Sequence, residues 1–413
     1  MTERRACCIA GGGPAGMMLG LLLARAGVDV LVLEKHADFL RDFRGDTIHP
    51  STLEVMHELG MLDEFLKLPH QEAREISAQV GGERVPVADF THLPTRCKFV
   101  ALMPQWDFLD FLAARAARYP SFRLWMRAEV VGLVEESGRV VGVEVMTAEG
   151  RTHVRADLVV GADGRHSVVR ERAGLEVREL GAPMDVLWFR LSRRPEDPAN
   201  LMGIFGSGRI FVLINRGSYW QCGYVIAKGT IDEIRRLGLE AFRESVARIV
   251  PYARDRVAEL RDWKDVSLLT VRVDRLARWY RPGLLCIGDA AHAMSPVGGI
   301  GINLALQDAV AAANLLASPL REGRVRVDDL ARVQRRRELP TRVTQWLQVQ
   351  VQKRVIAPVL GGAAPARLSL PVRLLRRFAI LRRVPARLIG IGVRPEHVKS
   401  AVAPGRVDRP VSL

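Results

Sequence analysis

Three glycines near the start of the chain, Gly11, Gly13 and Gly16, are spaced as G-x-G-x-x-G. An apolar run at residues 6–10 predicts a strand before them, and a second apolar run at residues 17–26 predicts a helix after them. Glycines let the backbone turn tightly and approach a pyrophosphate, and the start of the helix adds unpaired N–H groups and the positive end of its dipole. The spacing and its context therefore predict a turn that binds the pyrophosphate of a dinucleotide.

An acidic side chain follows the next predicted strand, residues 28–33. Glu34 lies 18 residues beyond Gly16, where a carboxylate can accept hydrogen bonds from the ribose of an adenosine. The same carboxylate would repel a 2′-phosphate. Residues 6–33 therefore have the pattern of a βαβ unit.

Two further motifs end strand-like segments later in the chain. They are Gly161-Ala162-Asp163-Gly164-Arg165-His166-Ser167, and a longer run from Gly288-Asp289-Ala290-Ala291-His292 through Pro296 to Gly298-Gly299-Ile300-Gly301-Ile302-Asn303. With the N-terminal turn and Glu34, these motifs resemble in kind and in order those of the single-component flavoprotein aromatic hydroxylases. This is the para-hydroxybenzoate hydroxylase family, or group A flavin monooxygenases. The resemblance covers roughly residues 4–350 and implies FAD as the cofactor.

The resemblance also implies roles for single residues. Arg44 would lie near the ribose and pyrophosphate, Gln105 near the ribityl chain, and Asp289 would bind a ribityl hydroxyl. The helix that opens at Asn303 would direct backbone N–H groups and its dipole at the flavin pyrimidine. Pro296 and Gly298 would surround the reactive carbon 4a, with no side chain assigned as a base. The full set implied for FAD is Gly11, Gly13, Pro14, Ala15, Gly16, Glu34, Lys35, Arg44, Gln105, Val130, Asp163, Asp289, Gly299, Gly301, Ile302 and Asn303.

Several of these residues also have a purely structural interpretation. The three N-terminal glycines could serve only a tight turn, Asp163 could close its own turn, and Arg44 could lie on a solvated loop. His292 is a tempting base, but the resemblance favours a structural role for it.

The reaction that the resemblance implies is a hydroxylation. NADH or NADPH reduces FAD, O2 reacts with the reduced flavin to give a C4a-hydroperoxide, and one oxygen atom passes to an aromatic or polycyclic small molecule. The cofactor supplies this chemistry, so the protein must place the substrate and exclude water. The sequence shows no second dinucleotide fingerprint, which fits a family that binds its nicotinamide transiently.

The predicted fold class is α/β. A Rossmann-like FAD-binding domain of the glutathione-reductase type, residues 1–180 and 276–350, would interlock with a mixed β-sheet substrate domain at residues 181–275. A basic, helical C-terminal segment would follow at residues 351–413. Aromatic residues of the middle strands are candidate pocket walls, with ordinary sheet core as the alternative for at least half of them: Trp188, Phe205, Phe211, Tyr219, Trp220 and Tyr224.

Local patterns predict further elements. Helices are expected at residues 50–59, from Asp107 as N-cap to Tyr119, and near residues 231–250; a β-hairpin is expected at residues 129–147 and strands at residues 184–191, 209–215 and 219–227.

The chain of 413 residues has 48% hydrophobic composition and a formal net charge of +15. Much of this charge is local, because arginines cluster at residues 335–337 and 373–387 and alternate in the second cluster with apolar residues from Leu368 onward. Such a segment is able to lie on an anionic bilayer or another acidic surface. The alternative is a solvated, arginine-rich surface of helices packed on the core. We expect no nucleic-acid partner.

The cysteines and the absence of targeting signals bear on location. Five scattered cysteines, Cys7, Cys8, Cys97, Cys222 and Cys286, indicate neither a disulfide framework nor a metal cluster. The chain begins directly in the nucleotide-binding strand, and no stretch is expected to reach the apolar length of a membrane span. We therefore expect a cytoplasmic protein, with peripheral contact to the inner face of the membrane through its C-terminal segment as a further option.

Three alternative functions stay open at this point. A flavin-dependent halogenase should carry a W-x-W-x-I-P segment in its middle region, and the sequence has none. A membrane-associated hydroxylase, epoxidase or reductase acting on a lipid or quinone fits the basic C-terminal segment. A non-catalytic flavin-binding protein, if it acted on nucleic acid, would need one continuous basic face.

Overall fold

The computed structural model describes residues 3–40, 47–198, 201–206, 208–362 and 370–403. The strands are β1 (Glu3–Ala10), β2 (Val30–Glu34), β3 (Thr47–Ile48), β4 (Gln71–Ala73), β5 (Glu75–Val80), β6 (Glu83–Asp89), β7 (Val100–Leu102), β8 (Phe122–Met126), β9 (Glu129–Glu136), β10 (Arg139–Thr147), β11 (Gly150–Gly161), β12 (Val177–Glu179), β13 (Met184–Ser192), β14 (Leu201–Gly206), β15 (Arg209–Asn215), β16 (Tyr219–Ala227), β17 (Ser267–Leu269), β18 (Asp274–Leu276), β19 (Tyr280–Arg281) and β20 (Leu284–Cys286). The helices are α1 (Pro14–Arg25), α2 (Pro50–Glu58), α3 (Leu62–Phe65), α4 (Gln105–Ala116), α5 (Val168–Arg172), α6 (Ile231–Leu237), α7 (Leu239–Ile249), α8 (Gly301–Arg321), α9 (Val327–Val351), α10 (Ala357–Leu360), α11 (Leu370–Arg377) and α12 (Arg383–Gly390). Arg44, Leu368 and residues 404–413 lie outside the described residues.

Eight strands form the first sheet. Strands β19, β20, β11, β1, β2 and β8 are neighbours in that order, and β10 joins β11 to β9. The pairs β1–β11, β1–β2, β2–β8 and β11–β20 are parallel. Strand β2 is buried along its whole length, as expected of a parallel strand covered on both faces, and α1 lies against α4 and α8. This confirms the predicted α/β class with a Rossmann-like sheet.

Seven strands form the second sheet, in the order β17-β13-β16-β15-β14-β5-β6. The long strands β13 and β16 pair antiparallel over their whole length, and β15 pairs antiparallel with β16. Strands β5 and β6 come from residues 75–89, inside the stretch that the sequence analysis assigned to the first domain, and β14 joins them through a parallel pairing with β5. The second sheet therefore combines residues 184–269 with an early hairpin.

Most predicted elements are confirmed, with two corrections. The hairpin at residues 129–147 and the three middle strands lie where they were predicted. The helix predicted at residues 231–250 is two helices, α6 and α7, because Gly238 adopts φ +90° and interrupts the helical backbone. Asp107 is not the N-cap of its helix, since α4 begins at Gln105 and Pro104 is the N-cap.

One helical stretch, Val297–Arg321, has the length and composition of a membrane span, contrary to the sequence-based expectation. Its apolar window is 72% buried inside the protein, because α8 lies against α1, α9 and β1. The burial identifies it as a core helix.

The C-terminal segment packs on the second sheet and contacts the start of α2. Helices α11 and α12 both lie against β6, and a Cβ on Gly390 would come within 2.8 Å of the Leu93 side chain. His49 Nδ1 lies 2.7 Å from the Ile389 carbonyl oxygen, so Nδ1 carries the proton and donates it. His49 thereby joins the start of α2 to the end of α12.

The burial of His49 predicts a loss of stability in mild acid. Burial lowers the pKa of His49 from 6.5 to about 4, against the opposing effect of its hydrogen bond to Ile389. Below pH 6.5 His49 of the unfolded chain binds a proton, whereas His49 of the folded chain stays neutral down to about pH 4. The contribution of neutral His49 to the free energy of unfolding is therefore fully present above pH 6.5 and is lost as the pH falls toward 4. Urea unfolding should show that this residue lowers the free energy of unfolding by about 2 kcal/mol at pH 5 relative to neutral pH.

The variant His49→Gln keeps an N–H donor for Ile389 but has no titrating ring. Its free energy of unfolding should fall by about 2 kcal/mol less than that of the wild type over the same pH range. An equal fall in both proteins would show that His49 is not the group responsible.

Candidate functional site

The glycines of the N-terminal turn have different surroundings. A Cβ on Gly11, whose φ is +104°, would lie 2.4 Å from the Ala162 carbonyl oxygen, and a Cβ on Gly16 would lie 1.9 Å from the Gly11 carbonyl oxygen. Gly13 is the N-cap before Pro14, with φ −72°, and no atom would lie within 4 Å of a Cβ there. Packing therefore requires glycine at positions 11 and 16, whereas Gly13 faces open space at a helix N-terminus, where a pyrophosphate fits.

Glu34 ends β2 beside this turn. Its Oε2 accepts a hydrogen bond from the Gly12 N–H at 2.9 Å, and its Oε1 accepts one from the His36 N–H at 3.0 Å. These bonds fix the orientation of the carboxylate beside the N-terminal turn. Lys35 is exposed next to it, and Val130 is buried in β9, which contacts β2.

Asp163 lies in the turn after β11, at the edge where β1 also ends. Its Oδ1 accepts a hydrogen bond from Ser167 Oγ at 2.5 Å, and its Oδ2 accepts one from the Val169 N–H at 3.1 Å. Burial raises the pKa of Asp163, and these hydrogen bonds oppose the rise. The carboxylate thus closes its own turn and starts α5, which agrees with the structural interpretation of this residue.

The third motif reaches the same edge through β20. Gly288 has φ +58°, and a Cβ there would lie 3.1 Å from the side chain of Ala15, in the first turn of α1. The partly exposed Asp289 Oδ2 lies 3.5 Å from Arg165 Nη2. The structure therefore brings the three sequence motifs together at one edge of the first sheet.

The loop after Pro296 leads into the start of a long helix. Gly298 and Gly299 have φ of +78° and +62°, and the Gly299 carbonyl oxygen accepts a hydrogen bond from Thr47 Oγ1 at 3.1 Å. Helix α8 begins at Gly301, and the first N–H groups of a helix have no partner within it. The N–H groups of Gly301 and Ile302 therefore stand at the positive end of a 21-residue helix.

The side-chain amide of Asn303 forms hydrogen bonds to the protein through both its oxygen and its nitrogen. Oδ1 accepts hydrogen bonds from the His49 N–H at 2.9 Å and from Thr52 Oγ1 at 2.7 Å. Nδ2 donates to the carbonyl oxygens of Thr47 at 3.2 Å and Gly299 at 3.4 Å. The side chain positions the loop, so only the backbone of Asn303 is suited to contact a flavin.

His292 is buried in an ionic network and is not placed as a base. His292 Nε2 lies 2.5 Å from Asp308 Oδ2, and Arg337 Nε donates to Asp308 Oδ1 at 2.9 Å. Burial alone would raise the pKa of Asp308, but the charges and hydrogen bonds of His292 and Arg337 hold it below its usual value. The Gly288 N–H donates to the same carboxylate at 3.1 Å. The network thus supports the turn that carries Asp289.

Three of the four aromatic residues in the predicted substrate set lie in the core of the second sheet. Phe211, Trp220 and Tyr224 pack on the side covered by α7; the Trp220 indole N–H donates to buried Asp197 at 2.8 Å. Alternate residues of a strand face opposite sides, so Tyr219 lies on the other side of the sheet. Phe211, Trp220 and Tyr224 thus have the position of sheet core, the alternative that the sequence analysis kept open, and the substrate wall stays a prediction. The two-residue period predicts the alternation and does not identify which side meets the site.

The opposite side of the second sheet meets the glycine loop. We call five of its buried apolar residues the loop-side face: Val186, Trp188, Ile210, Ile214 and Val225. Residues of the 75–102 region, of the glycine loop and of the C-terminal segment pack in the same cluster, among them Phe90, Leu93, Val297, Ile356, Val359 and Ile389. The site therefore has an apolar side next to Val297.

Trp188 is the one large aromatic residue of the loop-side face. Its indole lies against Gly223, where a Cβ would come within 3.0 Å of the ring. Its Nε1–H is buried and has no hydrogen-bond acceptor within the part of the chain that the structure describes. Burial of an N–H donor without an acceptor costs free energy, so a ligand oxygen that accepts a hydrogen bond from the Trp188 indole would be stabilised here.

Phe205 packs against the same apolar cluster as the loop-side face. It lines an open cavity of about 550 Å³ with Gln79, Arg209 and Arg248, on β5, β14, β15 and α7. Phe205 therefore lies between the apolar cluster of the loop-side face and this cavity.

Two polar residues near the start of α4 were not identified from the sequence. Arg216 Nε and Nη2 both donate to Gln221 Oε1, at 3.3 Å. Burial raises the pKa of Asp107, and the nearby charge of Arg216 opposes the rise. Gln105, the predicted ribityl contact, is the first residue of the same helix. No motif marks Arg216, and the only sequence signal is a polar Gln221 inside an apolar strand.

Substitution of Gly13 separates binding from packing. Because Gly13 has φ −72° and open space around it, Gly13→Ala should fold normally and place a methyl group where the pyrophosphate fits. We expect FAD affinity to fall by about tenfold, measured by flavin fluorescence titration, with an unchanged circular dichroism spectrum. Gly16→Ala is the contrasting variant, since its Cβ would lie 1.9 Å from a backbone oxygen and should lower stability itself. Unchanged FAD affinity in Gly13→Ala would contradict the placement.

Comparisons with known proteins agree with this geometry. A family model described as FAD binding domain matches residues 4–346. The 6-methylpretetramide 4-monooxygenase of Streptomyces rimosus is 32% identical over 381 residues, which are 91% of this chain and 91% of that protein. The solved structure of an anhydrotetracycline hydroxylase from Streptomyces rimosus has a TM-score of 0.74 at 24% identity and covers 94% of this chain and 76% of its own. That of p-nitrophenol 4-monooxygenase from Pseudomonas putida has a TM-score of 0.74 at 21% identity and covers 94% and 99%.

The family model spans well over half of the chain, and the 32% identical relative aligns along nearly its full length. The two structural neighbours share the fold, and the three motifs meet at the sheet edge where the family resemblance places FAD. The chain therefore belongs to the FAD binding domain family and is an FAD-dependent monooxygenase of the group A, para-hydroxybenzoate hydroxylase type.

Proposed function

We propose that this monooxygenase uses NADH or NADPH and O2 to hydroxylate an aromatic or polycyclic small molecule through a C4a-hydroperoxide of its FAD. The observation that carries the proposal is the loop-side face. Its buried apolar side chains cluster with Val297, next to Pro296 and Gly298, so a flat apolar substrate would lie beside the part of the flavin that reacts. Exclusion of water matters at this place because a hydrated hydroperoxide decays to hydrogen peroxide.

The chain would hold FAD at three points of the first sheet. Gly13 and the N-terminus of α1 would bind the pyrophosphate, Glu34 the adenosine ribose, and Asp289 the ribityl chain. The N–H groups of Gly301 and Ile302 would place the positive end of α8 at the pyrimidine, where they would stabilise negative charge on the reduced ring. The convergence of these groups on one sheet edge supports the assignment.

The names of the relatives support a polycyclic substrate. The relative that aligns with 91% of this chain is named for 6-methylpretetramide, and a structural neighbour is named an anhydrotetracycline hydroxylase. The apolar loop-side face suits the flat surface of a fused-ring compound, and the Trp188 indole N–H would donate to one of its oxygens. We therefore favour a polyketide-like, fused-ring phenol over a single-ring phenol.

Oxidation of a lipid or quinone is the second candidate function. It is favoured by the exposed arginines and apolar residues of α11 and α12. We place the enzyme in the cytoplasm, and in this second case at the inner face of the membrane. A purely non-catalytic flavin-binding role is set aside by the membership in a monooxygenase class.

Anaerobic flavin reduction tests the proposed function. The purified yellow protein is mixed with NADH or NADPH, with and without fused-ring polyketides, quinolones, simple phenols and quinones. Bleaching of the visible flavin band should accelerate strongly with a fused-ring phenol, the expected result for a monooxygenase whose substrate gates flavin reduction. Acceleration only by a quinone would favour the second candidate, and a flavin that stays oxidised with every compound would contradict both.

A substitution of Trp188 tests the substrate contact. Trp188→Phe removes the indole N–H and should raise the KM for the fused-ring substrate about fivefold, the value of one hydrogen bond, with FAD content unchanged. Trp220→Phe is the matched control, because it removes an indole N–H that donates to Asp197 on the opposite side of the sheet. It should lower stability and leave the KM unchanged. Equal KM values for Trp188→Phe and the wild type would refute the contact.

A further inference from the structure

The C-terminal helices carry charge of one sign. Residues 370–394 contain seven arginines and neither aspartate nor glutamate. They form α11, a 3-10 turn at Ala379–Arg382, and α12. The Arg382 guanidinium connects these elements, since it donates to the carbonyl oxygens of Leu375 and Arg376, both at 2.9 Å. We call residues 370–390 the basic helix pair.

Most of these arginines are not used to hold the protein together. Arg376 pairs with Glu83 and fixes α11 to β6. Four others are exposed, and none has a carboxylate within ion-pair distance among residues 3–40, 47–198, 201–206, 208–362 and 370–403: Arg373, Arg377, Arg383 and Arg387. Arg383 also interacts electrostatically with Asp89 of β6. The excess positive charge that this surface keeps attracts an anionic partner.

Large apolar side chains are exposed between the arginines. Phe378 is 49% exposed, Ile380 64% and Val384 60%. The opposite side of α12 is buried, with Ala386 and Gly390 against the protein. The inner side of the helix pair therefore packs against the protein. Its outer side carries both cationic and apolar groups, as in helices that lie at a lipid interface.

We propose that the basic helix pair docks on the surface of an anionic lipid bilayer. Phe378, Ile380 and Val384 enter the boundary between headgroups and acyl chains, while the neighbouring arginines contact lipid phosphates. The combination identifies the partner, because arginines alone would suit any polyanion, whereas exposed aliphatic and aromatic side chains gain free energy only where apolar surface receives them. The missing carboxylates remove the repulsion that would oppose an anionic surface.

The docking site and the candidate active site share one helix. Ile389, near the end of α12, belongs to the apolar cluster of the loop-side face, and its carbonyl oxygen accepts the hydrogen bond from His49. A bilayer on the outer side of α12 thus lies one helix away from the substrate site. The docking itself does not depend on the identity of the substrate.

Vesicle sedimentation of the full chain tests the proposal. The protein should pellet with vesicles of equal parts phosphatidylcholine and phosphatidylglycerol, and far less with phosphatidylcholine alone. The combined variant Arg377→Gln, Arg383→Gln and Arg387→Gln should weaken binding to the mixed vesicles about a hundredfold, at about fivefold per arginine. The combined variant Ile380→Ser and Val384→Ser keeps the charge and should weaken binding about tenfold.

A matched control changes the same charge elsewhere. Arg235→Gln, Arg236→Gln and Arg254→Gln remove three exposed arginines from the helical side of the second sheet and should bind vesicles about as well as the wild type. The visible flavin spectrum shows that each variant is folded. The proposal is overturned if the wild type does not bind the mixed vesicles, or if the control variant loses as much binding as the arginine variant of the helix pair. It is also overturned if the Ile380→Ser and Val384→Ser variant binds like the wild type, because the contact would then be open to any polyanion.

Discussion

The Ala162 N–H donates to the Ala10 carbonyl oxygen at 2.8 Å, and this pairing holds the ends of β1 and β11 level. Because the two strands end together, the turn that follows one lies against the turn that follows the other. Gly11 meets this constraint, since a Cβ there would lie 2.4 Å from the Ala162 carbonyl oxygen. Strand β20 extends the same edge and adds Asp289. Motifs far apart in the chain become one site through the pairing of β11 with β1 on one side and with β20 on the other.

Buried polar side chains hold the loop at residues 296–303. Asn303 makes four hydrogen bonds from one side, and Gln348 of α9 donates to the carbonyl oxygens of Ser295 and Val297, both at 3.0 Å, from another. Removal of such a partner leaves a buried group unsatisfied, which costs about 1–3 kcal/mol. The loop is therefore preorganised by its supports, and the residues that would face the flavin are glycines and backbone N–H groups.

Some residues of this site could be predicted from the sequence because local backbone geometry determines them, and others could not because long-range packing determines them. Gly13, Glu34 and Asp289 could be found because their types and spacing reflect local backbone geometry, and the structure places them at one sheet edge. Phe211 shows the limit: an alternating strand predicts two sides, but the side that meets the site depends on distant elements. Arg216 carries no local signal at all, since only the folded hairpin brings it near α4.

Other differences came from competition between local signals. Asp107 has the chemistry of an N-cap, yet Pro104 allows α4 to begin earlier at Gln105. Asp163 lies in a motif associated with cofactor contact, yet its oxygens are engaged by Ser167 and Val169. A sequence pattern identifies which residues are available for bonding, and long-range geometry decides which bonds they make.

The close contact between Trp188 and Gly223 makes two positions on neighbouring strands a single determinant of pocket volume. A methyl group at position 223 would lie 3.0 Å from the indole and require a small shift of the ring, whereas a smaller ring at position 188 makes room for it. Substitutions at the two sites are therefore non-additive: each alters what the other tolerates. Evolution or design that reshapes this enzyme for a substrate of different width has to move both residues together.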